Sequence, residues 1–264
     1  MNSNIKTGIS TASFYPSYTD EAFTYLCENG IKNIEVFINT YCEMKPPIIN
    51  NIKRLADEHN INVTSLHPFT GAIEPFMMFT KYERRFDDML DFFKNFFEAA
   101  AILGAPYFVF HGDKRQGTFT NEEYFERIDR LFDTAKSFGV TFLQENVERC
   151  KSGTIEFVED MKKQLGDKAQ FTLDIKQAVR RDVDPIEMLK AMGTSLKHIH
   201  ISDNTKDNSC MLVGEGNFDF YKMKELLTEF DFKGALILEY YDFCYKQRQE
   251  VLDSLERLNK IIYG

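Results

Sequence analysis

The chain repeats one unit: a helical stretch, a glycine, a short apolar run, and a polar residue where the run ends. Gly30 leads into Ile34–Glu35–Val36–Phe37, and Gly104 into Tyr107–Phe108–Val109–Phe110–His111. Gly139 precedes Phe142–Leu143–Gln144–Glu145, and Gly166 precedes Phe171–Thr172–Leu173–Asp174. Gly193 precedes Ile199–His200, and Gly234 precedes Leu236–Ile237–Leu238–Glu239. A glycine just past a helix end accepts the left-handed cap that other residues resist. Apolar runs this short have the length and character of strands buried on both faces of a parallel sheet.

With Ile5–Ser10 and Val63–His67 the count reaches eight strands. The stretches between them read as helices. The clearest is Tyr82–Leu103, where Phe86, Leu90, Phe93, Phe97, Ala100 and Ala101 recur at three- and four-residue spacing. Thr120 with Glu123, and Ser152 with Glu156, read as helix N-caps with nearby acids. Right-handed crossovers place each helix outside the sheet, so eightfold alternation predicts a single (β/α)8 TIM barrel over residues 1–264. A doubly wound open sheet is the alternative. A barrel of this kind needs about 250 residues. No linker or low-complexity tract marks a domain boundary.

The informative positions are the strand ends: Glu35, His67, His111, Glu145, Asp174, His200 and Glu239. In a barrel the C-terminal strand ends and their loops form the active-site face. Strand alternation sends Thr141 and Leu143 to the side of Glu145, and Ile237 to that of Glu239. Carboxylates crowded into a partly dry mouth repel one another, and a divalent cation relieves that repulsion. A single acid after a strand is ordinarily a helix cap, and Asp174 alone has that reading. The signal is the ordered set. His198, two residues before His200, lies deeper on the same face and reads as a core or supporting histidine.

Charge and cysteine usage narrow the partners. With 41 acidic against 32 basic residues the net charge is −9, a field that repels nucleic acid. Cys27, Cys42, Cys150, Cys210 and Cys244 form no C-x-x-C pair and read as reduced thiols of a cytoplasmic protein. The N-terminus, Met1 to Lys6, lacks the apolar stretch of a secretory signal, and no apolar run approaches the ~20 residues that span a bilayer. A cytoplasmic protein without a membrane partner is expected, and a homo-oligomer is compatible.

At Glu145–Asn146, Asp174–Ile175–Lys176–Gln177, His200–Ile201–Ser202–Asp203, Gly214–Glu215–Gly216 and Glu239 the chain resembles the xylose isomerase-like barrel superfamily. That group gathers sugar isomerases and epimerases with endonuclease IV-type nucleases, and the resemblance runs from the first strand to the last. It implies that Glu145, Asp174, His200 and Glu239 hold one divalent metal. Three carboxylates and an imidazole make a hard donor set, so Mn2+ is preferred, with Mg2+, Co2+ and Zn2+ as alternatives. It further implies substrate contacts from His67, His111, Gln177 and Glu35. Asp203 would orient His200 or shape its loop. Phe14, Tyr15, Phe37 and Phe69 are candidates to wall the pocket.

The expected function is a metal-dependent isomerase or epimerase of a small sugar or polyol. Proton transfer would pass through a metal-stabilised enediolate, with Glu145 and Glu239 as the catalytic base and acid. A dehydratase of a cyclitol or related polyol would use the same groups. A DNA-repair nuclease is disfavoured. Gln177 stands where the superfamily often has histidine, and Asn208–Ser209–Cys210 replaces the Asp-x-His pair that holds further zinc in the nucleases. A barrel that only binds its ligand would have lost a metal ligand, and none is missing.

Overall fold

A computed structural model describes residues 5–264; residues 1–4, part of the segment read for a secretory signal, lie outside the described residues. Eight parallel strands close into a barrel in chain order. They are β1 Lys6–Ser10, β2 Asn33–Ile38, β3 Asn62–Pro68, β4 Tyr107–Phe110, β5 Thr141–Glu145, β6 Phe171–Asp174, β7 Leu196–Ile201 and β8 Ala235–Leu238. The ring shuts where Lys6, Thr7, Gly8 and Ile9 pair with Ala235, Leu236, Ile237 and Leu238. The open-sheet alternative is thereby excluded.

The main core lies between this ring and the helices outside it. In the helix Glu83–Leu103, Phe86, Met89, Phe93, Phe96, Phe97, Ala99, Ala100 and Leu103 are buried. Phe93 and Phe97 meet Phe108 of β4 edge-on, with centroids 5.6 and 5.0 Å apart. Ala101, expected in that stripe, faces solvent. The buried arc runs through Met89 and Phe96 instead, because the strand it covers sits to that side. Gly104 ends the helix in the left-handed region, at φ 72°.

Of the local expectations, one holds, one shifts by two residues and one has a different cause. Thr120 and Glu123 do form a capping box. The helix Ile155–Leu165, however, is capped by Thr154, whose side chain accepts from the Phe157 amide, while Ser152 lies in the turn before it. Gly234 precedes β8 for a reason other than a left-handed cap. A Cβ there would lie 2.0 Å from the Lys197 carbonyl oxygen of the neighbouring strand. Among the described residues no helix is long and apolar enough to cross a membrane.

Candidate active site

The strand ends carry the site. Glu145 is the last residue of β5, Asp174 the last of β6, and His200 the last but one of β7. Glu239 follows β8 directly, and its amide still donates to the Ile201 carbonyl of β7 at 3.2 Å. Leu143 and Ile237 are fully buried, and the pleat stacks them beneath Glu145 and Glu239 inside the barrel. Asn146 clamps the neighbouring strand: its side-chain oxygen accepts from the Asp174 amide at 2.6 Å, and its amide nitrogen donates to the Asp174 carbonyl at 3.0 Å.

The three carboxylates turn toward His200. His200 Nδ1 lies 3.2 Å from Glu145 Oε1, 3.7 Å from Asp174 Oδ2 and 3.6 Å from Glu239 Oε2. The ligand atoms of Asp174, His200 and Glu239 all fall within 4.8 Å of one another, as do those of His67, Glu145 and His200. On its far side, His200 Nε2 is 3.1 Å from Glu35 Oε2. A carboxylate only accepts, so each ring nitrogen that meets one donates to it: Nε2 to Glu35 and Nδ1 to Glu145, with Nδ1 the nitrogen turned toward the three acids of the mouth. Burial opposes every charge here. Even so, His200 and His198 hold the Glu35 carboxyl well below the usual range, and His200 and His67 do the same for Glu145. Burial would also lower the His200 pKa, yet the surrounding acids, Glu35 and Glu239 first, push it well up.

Glu35 stands elsewhere than its expected strand end. It lies in the middle of β2, fully buried, and lines no part of the cavity. Ser65 Oγ donates to its Oε2 at 2.8 Å, and His198 Nε2 approaches the same oxygen at 3.0 Å. His198 thus sits at the floor, beneath His200. The carboxylate of Asp203 makes no hydrogen bond to His200. It accepts from the amides of Asn204, Gly214, Gly216 and Phe218, which shapes the Gly214–Glu215–Gly216 loop.

Above the cluster opens a cavity of about 350 Å3, lined by His67, His111, Glu145, Lys176, Gln177 and Glu239, with Tyr15 and Phe37 on its wall. Phe37 stacks on His67 with centroids 4.7 Å apart. Phe14 packs instead on Tyr25 and Tyr245, and Phe69 on Phe92 and Phe96, so neither walls the cavity. Gln177 Oε1 accepts from the Glu148 amide at 3.0 Å, which leaves its side-chain nitrogen for a ligand. His67 Nε2 and His111 Nε2 lie 3.7 and 3.8 Å from Glu145 Oε2.

Two residues that sequence reasoning passed over are central. Glu74, fully buried, takes the other face of His111: its Oε1 is 3.2 Å from Nδ1, and its Oε2 accepts from the Gly112 amide at 2.8 Å. Burial lowers the His111 pKa, but Glu74 outweighs it and the net direction is upward. Lys176 is 3% exposed, and its ammonium touches both Asp174 Oδ2 and Glu239 Oε2. Burial opposes its charge, and those two acids hold its pKa well above the ordinary value. The only advance signal for Lys176 was a charged residue two places after the sixth-strand aspartate. Glu74 had none.

The sequence model described as xylose isomerase-like TIM barrel matches residues 23–261. The chain belongs to that family. Among its relatives, an uncharacterized protein of Mycobacterium leprae (strain TN) is 24% identical over 260 residues, covering 90% of each chain. The crystal structure of a D-tagatose 3-epimerase-like protein superposes with a TM-score of 0.82 at 19% identity, covering 98% of this chain and 97% of that one. A zinc-bound structure of the IolI protein gives a TM-score of 0.77 at 18% identity, covering 97% and 98%. At such identities the superpositions establish the fold that this family member shares with them.

Proposed function

We propose that this protein is a metal-dependent isomerase or epimerase of a small sugar or polyol. The observation that carries this reading is His200, whose Nε2 is engaged by Glu35 while Nδ1 faces oxygens of three carboxylates from three strands at 3.2–3.7 Å. A carboxylate behind a histidine fixes the ring and its tautomer for a metal on the other nitrogen. The donor chemistry fits a hard divalent cation, with Mn2+ preferred and Mg2+, Co2+ or Zn2+ as alternatives. Glu145, Asp174, His200 and Glu239 would hold it. When bound, it supplies Lewis-acid polarisation of a carbonyl or hydroxyl oxygen.

The chain's own residues supply the rest. Glu145 and Glu239 reach the cavity from strands on different sides of the ring, so one takes a proton from a substrate carbon and the other returns one. His67 and His111 border Glu145 and offer hydrogen bonds to substrate hydroxyls, and Gln177 adds its free amide nitrogen. Tyr15 and Phe37 give the apolar wall that a sugar ring packs against and help exclude water. Glu35 and His198 work from beneath by orienting His200. The epimerase-like neighbour and the zinc-bound IolI support the reading, as does the cavity's volume of about 350 Å3, the size of a small-molecule site.

The test is elemental analysis of the purified protein, followed by a panel of ketoses and aldoses with added Mn2+ or Co2+. Interconversion of a sugar pair, lost on chelation and restored by metal, is the expected result. Elimination of water from a cyclitol would move the assignment to a dehydratase. Cleavage of an abasic-site oligonucleotide with no sugar turned over would overturn it.

A further inference from the structure

Lys176 is the feature of the site that the strand-end pattern does not call for. It follows Asp174 by two residues in the first turn of the helix Ile175–Arg180, where its side chain folds back into the acid cluster. Asp174 Oδ1 is committed to that helix, accepting from the Gln177 amide at 3.0 Å. Oδ2 is therefore the oxygen Asp174 has left, and the lysine ammonium is on it. Glu239 Oε2 is in the same position: it meets the ammonium and also stands 3.6 Å from His200 Nδ1. Two of the three carboxylate oxygens that a metal at His200 Nδ1 would need are thus already neutralised by Lys176, and only Glu145 Oε1 is free of it.

The charge balance points the same way. Glu35, Glu145, Asp174 and Glu239 are all buried within one connected cluster. Such a group does not stay assembled in a low-dielectric interior unless cations are present. A divalent ion alone would leave two of the four carboxylate charges uncompensated, and the ammonium takes up one of them.

We propose that the Lys176 ammonium is a resident cation of this centre, holding Asp174 and Glu239 together without metal and contending with a divalent ion for their oxygens. The proposal rests on the metal reading above and goes beyond it. Lys176 is a positioning residue here. It keeps the site assembled for reloading and weakens its grip on the metal.

The experiment compares metal-stripped wild type, Lys176→Met and Lys176→Arg by calorimetric titration with Mn2+ and by thermal unfolding with and without Mn2+. Methionine keeps much of the stem's packing while removing the charge. K176M should bind Mn2+ about 10-fold more tightly than wild type, the gain expected if removing the ammonium relieves ~1.4 kcal/mol of competition for the two oxygens. Its metal-free Tm should fall below that of wild type, and its Mn2+-induced rise in Tm should be larger. K176R, which keeps the charge, should bind Mn2+ no more tightly than wild type. If K176M folds only with metal, the rate of Mn2+ loss to a chelator replaces the titration and should be slower than in wild type. Binding by K176M that is equal to or weaker than wild type overturns the proposal and leaves the metal reading standing. Mn2+ binding by K176M but not by wild type supports it in its strongest form. Failure of wild type and both variants to bind Mn2+, Co2+ or Zn2+ removes the metal reading and the proposal with it.

Discussion

The floor and the rim of the site are built from the same chemistry, buried acids against nitrogen bases, and they are put to different uses. At the floor, Glu35 Oε2 receives Ser65, His198 and His200, and the protein covers it completely. At the rim, Asp174 and Glu239 share one ammonium with the imidazole of His200 close by, and Glu239 and Lys176 border open cavity. What separates the two is height along the strand. Glu35 lies mid-strand, below the cavity, while the rim acids lie at strand ends or just past them. A carboxylate enclosed by protein donors orients its neighbours, and one with an oxygen turned toward the cavity is free to handle a ligand or a proton.

The largest effect that would break this division lies at the rim. Glu145→Gln and Glu239→Gln should each lower kcat about 10²–10⁴-fold, the usual share of a general acid or base. They should leave the fold intact by circular dichroism. Full turnover in both variants would remove rim acids from the chemistry. Next comes the floor. Glu35→Ala strips the buried partner from His198 and His200, and losing one side of such a pair costs about 3–5 kcal/mol. We expect a lower Tm together with weaker metal binding. A Tm within 1–2 °C of wild type, against the roughly 2–4 °C that each kcal/mol shifts a chain of about this size, would show the floor to be dispensable.

Asp203→Ala sharpens the comparison, because Asp203 is a buried acid whose partners are all backbone amides. Leaving those donors short of an acceptor should cost about 1–3 kcal/mol, with faster hydrogen exchange at Gly214 and Gly216 as the local readout. The smallest effect concerns pH. Glu74 raises the His111 pKa in the fold above its ordinary 6.5, against burial. A raised histidine contributes stability that is fully present below the unfolded pKa and is lost as pH rises through the folded one. Glu74→Gln should lower the His111 pKa by NMR titration. The stability gap to wild type should be widest in acid and close as pH rises. An unmoved His111 resonance would break the pairing.

Most strand ends were legible because a buried parallel strand is a dense local signal, a run of apolar residues with a glycine before it and a polar residue after it. That is why Glu145, Asp174, His200 and Glu239 could be named in advance as strand-end residues, and the closed ring then sets the three acids around His200 Nδ1. Glu35 was read one step too high, since a run that is apolar on both sides of it does not say where its strand ends. Glu74 and Ser65 were missed for another reason. Each meets its partner across a sequence gap, Glu74 to His111 over 37 residues and Ser65 to Glu35 over 30. The same holds for Cys210 and Cys244. They look like scattered thiols in the chain, yet their sulfurs lie 3.4 Å apart in the fold, both free.

Taken alone, the chain's periodicity determined that eight strands alternate with helices and, Glu35 apart, which acids and histidines stand at the strand ends; that the sheet closes into a ring was decided by the structure. Local spacing is enough for that, because residues two apart in a strand and three or four apart in a helix share a face. Which charges are neutralised, which oxygen of Asp174 remains available, and that a lysine ammonium stands between Asp174 and Glu239 were decided only in three dimensions. Electrostatic partners are chosen by distance and burial, and chain separation carries no record of either.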